Sequence, residues 1–402
     1  MYVKSLPSST AMSTKATSAN LRALKLSPRV LMLAVALLIG AIVLIAREHR
    51  PSFLRPGLKL NAYVATADGN LTVVDLVRLR AVNRIAIGPA LAGVREHPTR
   101  PEIWGVSSEG GYLWVLDAPS NHISSRVQLG PLPYTLDFSA DGNRIFTTSS
   151  GSDTLFAIDA QTRAIVACAP TGREPVVSRV TPDDKTVLVL NHGDATLGIH
   201  DAATLVRRAT VPVVEQPEKI AMLPDSSIAF VLSKMQPRVS VVDLRRGVLL
   251  ANLQVAGKPS DILLKPDGGE VYVISPESHG LQAINTWTHE VGDYMMLGAS
   301  PTRGILSADA SLLYVTDVAA GRVAAVDINN RRMIRGANGS ELLISVGQAP
   351  AAIRFDPAES LLLVVNQNSG DLAVIRARTD NQSLLTMIPV GDHPQDIAVK
   401  MF

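Results

Sequence analysis

Residues 259–275 read Pro-Ser-Asp-Ile-Leu-Leu-Lys-Pro-Asp-Gly-Gly-Glu-Val-Tyr-Val-Ile-Ser, and this stretch decides the fold. Pro259 to Lys265 is a short apolar run of strand type. Pro266-Asp267-Gly268-Gly269 is a turn, because Pro fixes φ and Gly tolerates positive φ. Val271 to Ser275 is a second strand, rich in β-branched and aromatic residues. A turn at Ser278–Gly280 leads into Leu281–Asn285, and the chain returns as Val291–Leu297 before Gly298. Four antiparallel strands thus occupy the 42 residues from Pro259 to Ser300.

The module recurs on both sides. Pro133, Pro175, Pro217, Pro259 and Pro301 open successive copies at 42-residue intervals, and Pro350 and Pro394 continue the series after insertions. Asp141, Asp183, Asp225, Asp267 and Asp309 mark the first turn. Gly88, Gly130, Gly172, Gly298, Gly347 and Gly391 each stand three residues before an opening position. Asp75, Asp117, Asp159, Asp201, Asp243, Asn285 and Asp327 end the third strands, and Arg376 fills that slot in the last copy, 49 residues after Asp327. A side-chain carboxylate there accepts backbone N–H groups of the following turn, so this recurrence is read as turn capping. A fixed period of this size, built from strands, is the mark of a β-propeller. A β-sandwich would not need identical spacing.

The two ends of the chain are complementary. The first copy starts at Asn61-Ala-Tyr-Val-Ala-Thr66, a second-strand position, and lacks a first strand. Pro394-Gln-Asp-Ile-Ala-Val-Lys400 is a first strand with nothing after it. The C-terminus is therefore expected to complete the first blade and close the ring. The count is eight four-stranded blades, or seven if the degenerate copy at 90–131 is absorbed elsewhere.

The second strands Tyr63-Val-Ala-Thr, Tyr272-Val-Ile-Ser, Tyr314-Val-Thr-Asp and Val364-Val-Asn-Gln, with their Pro-Asp-Gly turns, resemble the YVTN-repeat β-propeller family over all of 61–402. The resemblance implies export to the periplasm or cell surface. Architecturally related propellers include lactonases, quinone-cofactor dehydrogenases and haem d1 proteins, but their functional residues find no matching positions here.

Outside the repeats, Val30–Ala46 is a run of seventeen residues without a charge, near the lower limit for spanning a bilayer. The preceding tail, 1–29, carries Lys4, Lys15, Arg22, Lys25 and Arg29 and no acid. Leu44 and Ile39 would stand at the −3 position of the two available cleavage sites, which suits a signal peptidase poorly. The expected order is a basic tail (1–29), a transmembrane helix acting as anchor, or a signal segment (30–46), a linker (47–60) and the propeller (61–402). Arg47, Arg50, Arg55 and Lys59 nearly balance the charge across the segment, so the positive-inside rule gives little orientation. The resemblance favours a single-pass protein with the propeller outside the cytoplasm.

Net charge is +2 and aromatics are 4%, which argues against a nucleic-acid surface. The single Cys168 excludes an intramolecular disulfide and is expected to be a small buried core residue. There is no GxSxG, HExxH, phosphate loop, dinucleotide fingerprint or calcium loop. The eight histidines are scattered, and only His97, in the irregular copy, invites a metal or haem reading. No cofactor is expected, and a binding or scaffold role is favoured over an enzyme. The insertion at Asn329–Glu341 is a candidate contact loop.

The chemistry that remains lies on the first strands, which line a propeller's axis. Two or four residues after each opening position stand Asp396, Arg95, Asp137, Arg179, Lys219, Asp261, Arg303 and Arg354, one per blade. These positions share a strand face and differ in depth by roughly 7 Å. Five are basic and three acidic. Salt bridges between blades are one reading. The other uses the surplus of two positive charges to hold a small anion, with Arg303 and Arg354 as a fork. The expected partners are a membrane, through the N-terminal helix, and a protein or small-anion ligand.

Overall fold

The computed structural model describes residues 58–336, 339–377 and 382–402. The basic tail, the apolar segment Val30–Ala46 and most of the linker lie outside the described residues. Among the described residues no helix is long and apolar enough to cross a membrane.

From Leu58 onward the chain forms eight antiparallel sheets, arranged as blades. Blade 1 is composite. Its order from the axis outward is Pro394–Met401, Leu60–Thr66, Asn70–Asp75 and Arg80–Ala86. Tyr63 pairs with Ala398 and Val64 with Ile397, and Lys59 and Phe402 exchange backbone hydrogen bonds beyond the strand ends. The expected closure is therefore present. The inner strands of blades 2 to 8 are Leu91–Glu96, Pro133–Phe138, Pro175–Val180, Pro217–Met222, Asp261–Leu264, Pro301–Leu306 and Pro350–Phe355. The copy at 90–131 is a complete blade 2, which settles the count at eight. Each inner strand touches the inner strand of the next blade around the whole circle.

Blade faces are apolar and pack against their neighbours. One cluster joins Tyr63, Leu71 and Val73 of blade 1 to Ile103, Trp114 and Leu116 of blade 2. The next joins Trp104 and Leu113 of blade 2 to Leu136 and Ile145 of blade 3. Trp104 and Trp114 are fully buried. Each hides roughly 150–250 Å², or about 4–6 kcal/mol at ~25 cal/mol/Å². A single blade would expose both such faces, so the ring is the thermodynamic unit.

In five of the eight blades the residue that ends the second strand ties the blade to the segment that enters it. The residue ending every second strand is polar and buried: Thr66, Ser107, Ser149, Asn191, Ser233, Ser275, Asp317 and Asn366. Ser107 Oγ donates to the carbonyl of Pro89 and Ser275 Oγ to that of Lys258, while Asp317 accepts the N–H groups of Ala299 and Ser300. Six openings have a glycine three residues before them, and in blade 7 it makes room for this contact: a Cβ on Gly298 would lie 2.4 Å from Asp317 Oδ2. The third-strand Asp positions cap turns, as expected. Asp159 accepts N–H bonds from Gln161 and Thr162, Asp243 from Arg245 and Arg246, and Asn285 from Trp287 and Thr288.

Two local outcomes differ from or refine the expectations. Cys168 is exposed, not buried, because it lies on the outer strand Ile165–Pro170 of blade 3, where the sheet faces solvent at the rim. The insertion after Asp327 splits the outer strand of blade 7 into Arg332–Met333 and Leu343–Ser345, both paired with Arg322–Asp327.

Candidate binding site on the axis

The inner strands bring the eight charges to the axis in a divided arrangement. Arg95 pairs with Asp396 at 3.6 Å, Arg179 with Asp137 at 3.5 Å, and Lys219 with Asp261. Each acid does a second job. Asp396 accepts the Val94 N–H, Asp137 the Val180 N–H and Asp261 the Gly304 N–H, at 2.9–3.0 Å, from the inner strand of the following blade. The three acids are therefore interblade clamps. Asp261 touches blades 5 and 7 from blade 6.

The pairing uses up the acids and leaves two cations. Among the described residues, Arg303 and Arg354 have no ion pair. They are neighbours in blade order but answer to different charges. Burial holds the Arg354 guanidinium below its ordinary pKa. Repulsion from Arg95 adds to this, and Asp396 and Glu96 oppose it. Arg303 acts instead on Lys219, whose pKa burial pushes down to about 8 despite Asp261. Arg179 is also lowered, first by burial. The ring thus divides into Arg354, Asp396, Arg95, Asp137 and Arg179 on one side, and Lys219, Asp261 and Arg303 on the other. Each group carries one surplus positive charge. Arg303 and Arg354 stand on neighbouring blades, and each is the cation left over in its group.

Arg354 lines a cleft of about 340 Å³ between blades 8, 1 and 2. Phe355, Pro98 and Met401 supply its apolar lining, and Glu96 and Lys400 its other charges. Lys400 Nζ donates to the carbonyl of His97. His97 is itself fully buried. Its Nδ1 accepts the N–H groups of Thr99 and Arg100, and its Nε2 donates to the Gly142 carbonyl at 2.9 Å. Both nitrogens are engaged, so His97 is a structural residue and has no lone pair free for a metal or haem iron. Among the described residues no group of three or more His, Cys, Asp or Glu could hold a metal ion.

Sequence inspection missed the clamping role of the acids and the part played by Glu96 and Lys400. The signal for the acids was present as one carboxylate on inner strands 1, 3 and 6. Glu96 and Lys400 lie further along the inner strands than the positions two and four residues after each opening.

Comparison with known proteins agrees with the architecture. A family model for YNCE-like beta-propellers matches residues 112–312, half of the chain. No curated protein matches. Among solved structures, dihydro-heme d1 dehydrogenase NirN in complex with DHE superposes with a TM-score of 0.71 at 16% identity, covering 87% of this chain and 77% of that one. Hydrazine synthase of Kuenenia stuttgartiensis gives a TM-score of 0.57 at 17% identity, over 72% of this chain and 96% of that one. A functionally unknown protein from Desulfotomaculum acetoxidans DSM 771 gives 0.58 at 16% identity, over 75% and 99%. At these identities the similarity concerns the fold alone. With eight closed blades, the repeated second-strand motif and the match over 112–312, the chain belongs to the YNCE-like beta-propeller family.

Proposed function

We propose that this protein is a non-enzymatic binding propeller, tethered to a membrane with its ring outside the cytoplasm, that takes a small anion on its axis. One observation carries the ligand class: three carboxylates neutralise three of the five axial cations, and Arg303 and Arg354 are left over. A half-buried guanidinium without a counter-ion is costly, and an anion offers charge-assisted, geometrically matched hydrogen bonds. The uncharged run Val30–Ala46 and the export implied by the YVTN resemblance support the tether and its location.

The test is equilibrium titration of the protein with benzoate, isovalerate and inorganic phosphate. Wild type is compared with Arg303→Gln, Arg354→Gln and the double variant. At least one anion binds the wild type, and the double variant loses it while keeping its melting temperature within a few degrees. Absence of binding to the wild type, or binding untouched by the double substitution, removes the proposal. Protease treatment of intact and permeabilised cells tests the location: a propeller outside the cytoplasm is reached without disrupting the inner membrane.

A further inference from the structure

We infer that the Arg354 cleft selects an organic monocarboxylate with an apolar body, and that Glu96 is the residue that rejects doubly charged anions. This rests on the anion reading above and names the ligand class for one of its two positions.

The cleft has two kinds of wall. Arg354 is its cation without an ion pair, while the Lys400 ammonium is already donated to the His97 carbonyl. Opposite in sign stands Glu96, exposed and without a hydrogen bond or ion pair among the described residues. Its charge is felt by both Arg354 and Lys400. Asp396, on the adjoining inner strand, also acts on Arg354 but is committed to Arg95 and the Val94 N–H. One guanidinium can hold one carboxylate through two parallel N–H bonds. A second negative charge on the ligand would meet Glu96 with no cation left to answer it.

The remaining wall is hydrophobic. Phe355 is fixed edge-on against Tyr314, with ring centroids 5.8 Å apart. Pro98, Pro357, Val399 and Met401 complete the surface. The volume, about 340 Å³, is at the small end of the roughly 300–1,000 Å³ of ligand sites. An inorganic anion would leave this surface unused. A carboxylate on a branched or aromatic carbon skeleton covers it.

The experiment titrates the intact protein with isovalerate, succinate, inorganic phosphate and leucine, in wild type, Glu96→Gln and Arg354→Gln. Isovalerate binds the wild type more tightly than succinate or phosphate by about tenfold, the order of one like-charge contact in a partly solvated site. Glu96→Gln abolishes that preference by strengthening the dianions. Arg354→Gln weakens isovalerate by at least about tenfold, as expected for a hydrogen-bonded charge. Phosphate or succinate preferred by the wild type, with the preference lost in Arg354→Gln, keeps the axial anion site and overturns the monocarboxylate. Leucine binding more tightly than isovalerate reassigns Glu96 to an ammonium group and overturns it as well. No binding by any of the four overturns the assignment of this cleft, while a benzoate response lost in Arg303→Gln alone would preserve the other axial position.

Discussion

Asp261 is the axial residue whose loss has the most calculable consequence. Its carboxylate is buried, pairs with Lys219 of blade 5 and accepts the Gly304 N–H of blade 7 at 3.0 Å. Asp261→Ala therefore strands a cation and orphans a backbone donor in one step. Breaking a buried pair by removing one partner costs about 3–5 kcal/mol. The orphaned N–H adds roughly 1–3 kcal/mol. Lys219, already displaced to about pKa 8, escapes part of this by losing its proton. A net loss of about 4 kcal/mol is the expectation. A body of this size has an unfolding entropy of roughly 0.7 kcal/mol/K, from ~2.1 cal/mol/K per residue. The melting temperature should then fall by about 5–6 °C in differential scanning calorimetry. Asp261→Asn keeps an acceptor for Gly304 and should lose about half as much. Combining Asp261→Asn with Lys219→Met removes the stranded charge and should recover most of the loss. A single alanine variant within about 1 °C of wild type, or a double variant no better than Asp261→Asn alone, would refute the clamp.

Two further outcomes follow from the geometry. A chain ending at Asp392 lacks the inner strand of blade 1, including the buried Ile397 and Ala398, and exposes the edge of Leu60–Thr66. It should lose cooperative unfolding by circular dichroism and aggregate, whereas a thermal transition like that of the full chain would contradict closure by this strand. Buried His97 and His200 both have pKa values pushed below 6.5, in each case first by burial. Such a group stays neutral when folded but takes up a proton when unfolded, so its stabilising effect is complete above pH ~6.5 and is lost as pH falls towards the folded pKa. Urea denaturation should show stability dropping below about pH 6.5, with a smaller drop in His97→Gln. An identical slope in that variant would count against the assignment.

Much of the architecture was legible because the backbone requirements repeat. Pro266-Asp267-Gly268 fixes a turn locally, and its recurrence every 42 residues leaves few alternatives. The unpaired ends at Asn61 and Lys400 gave the closure. The eight axial charges could also be located, since strand alternation alone places them. Their pairing could not. Lys219 and Arg303 flank Asp261 on neighbouring blades, and sequence does not say which will claim it. The choice depends on strand depth, and most inner strands carry a bulge near their start, such as that between Pro217 and Lys219. Cys168 was misjudged for a related reason. A small apolar neighbourhood marks a strand, but outer and inner strands differ in exposure only once the blade is assembled. The buried polar residue ending each second strand, from Thr66 to Asn366, was present as the last letter of the repeated motif. Its role emerged only with the entering segment packed against it.

The most direct test of the surplus-charge account is anomalous diffraction from crystals soaked in bromide, a monovalent anion with no preference for carbon-based contacts. Bromide is predicted beside Arg354 and beside Arg303, and not beside Arg95, Arg179 or Lys219, whose charges are already met by Asp396, Asp137 and Asp261. Peaks at the three paired cations, or none at either remaining arginine, would contradict it.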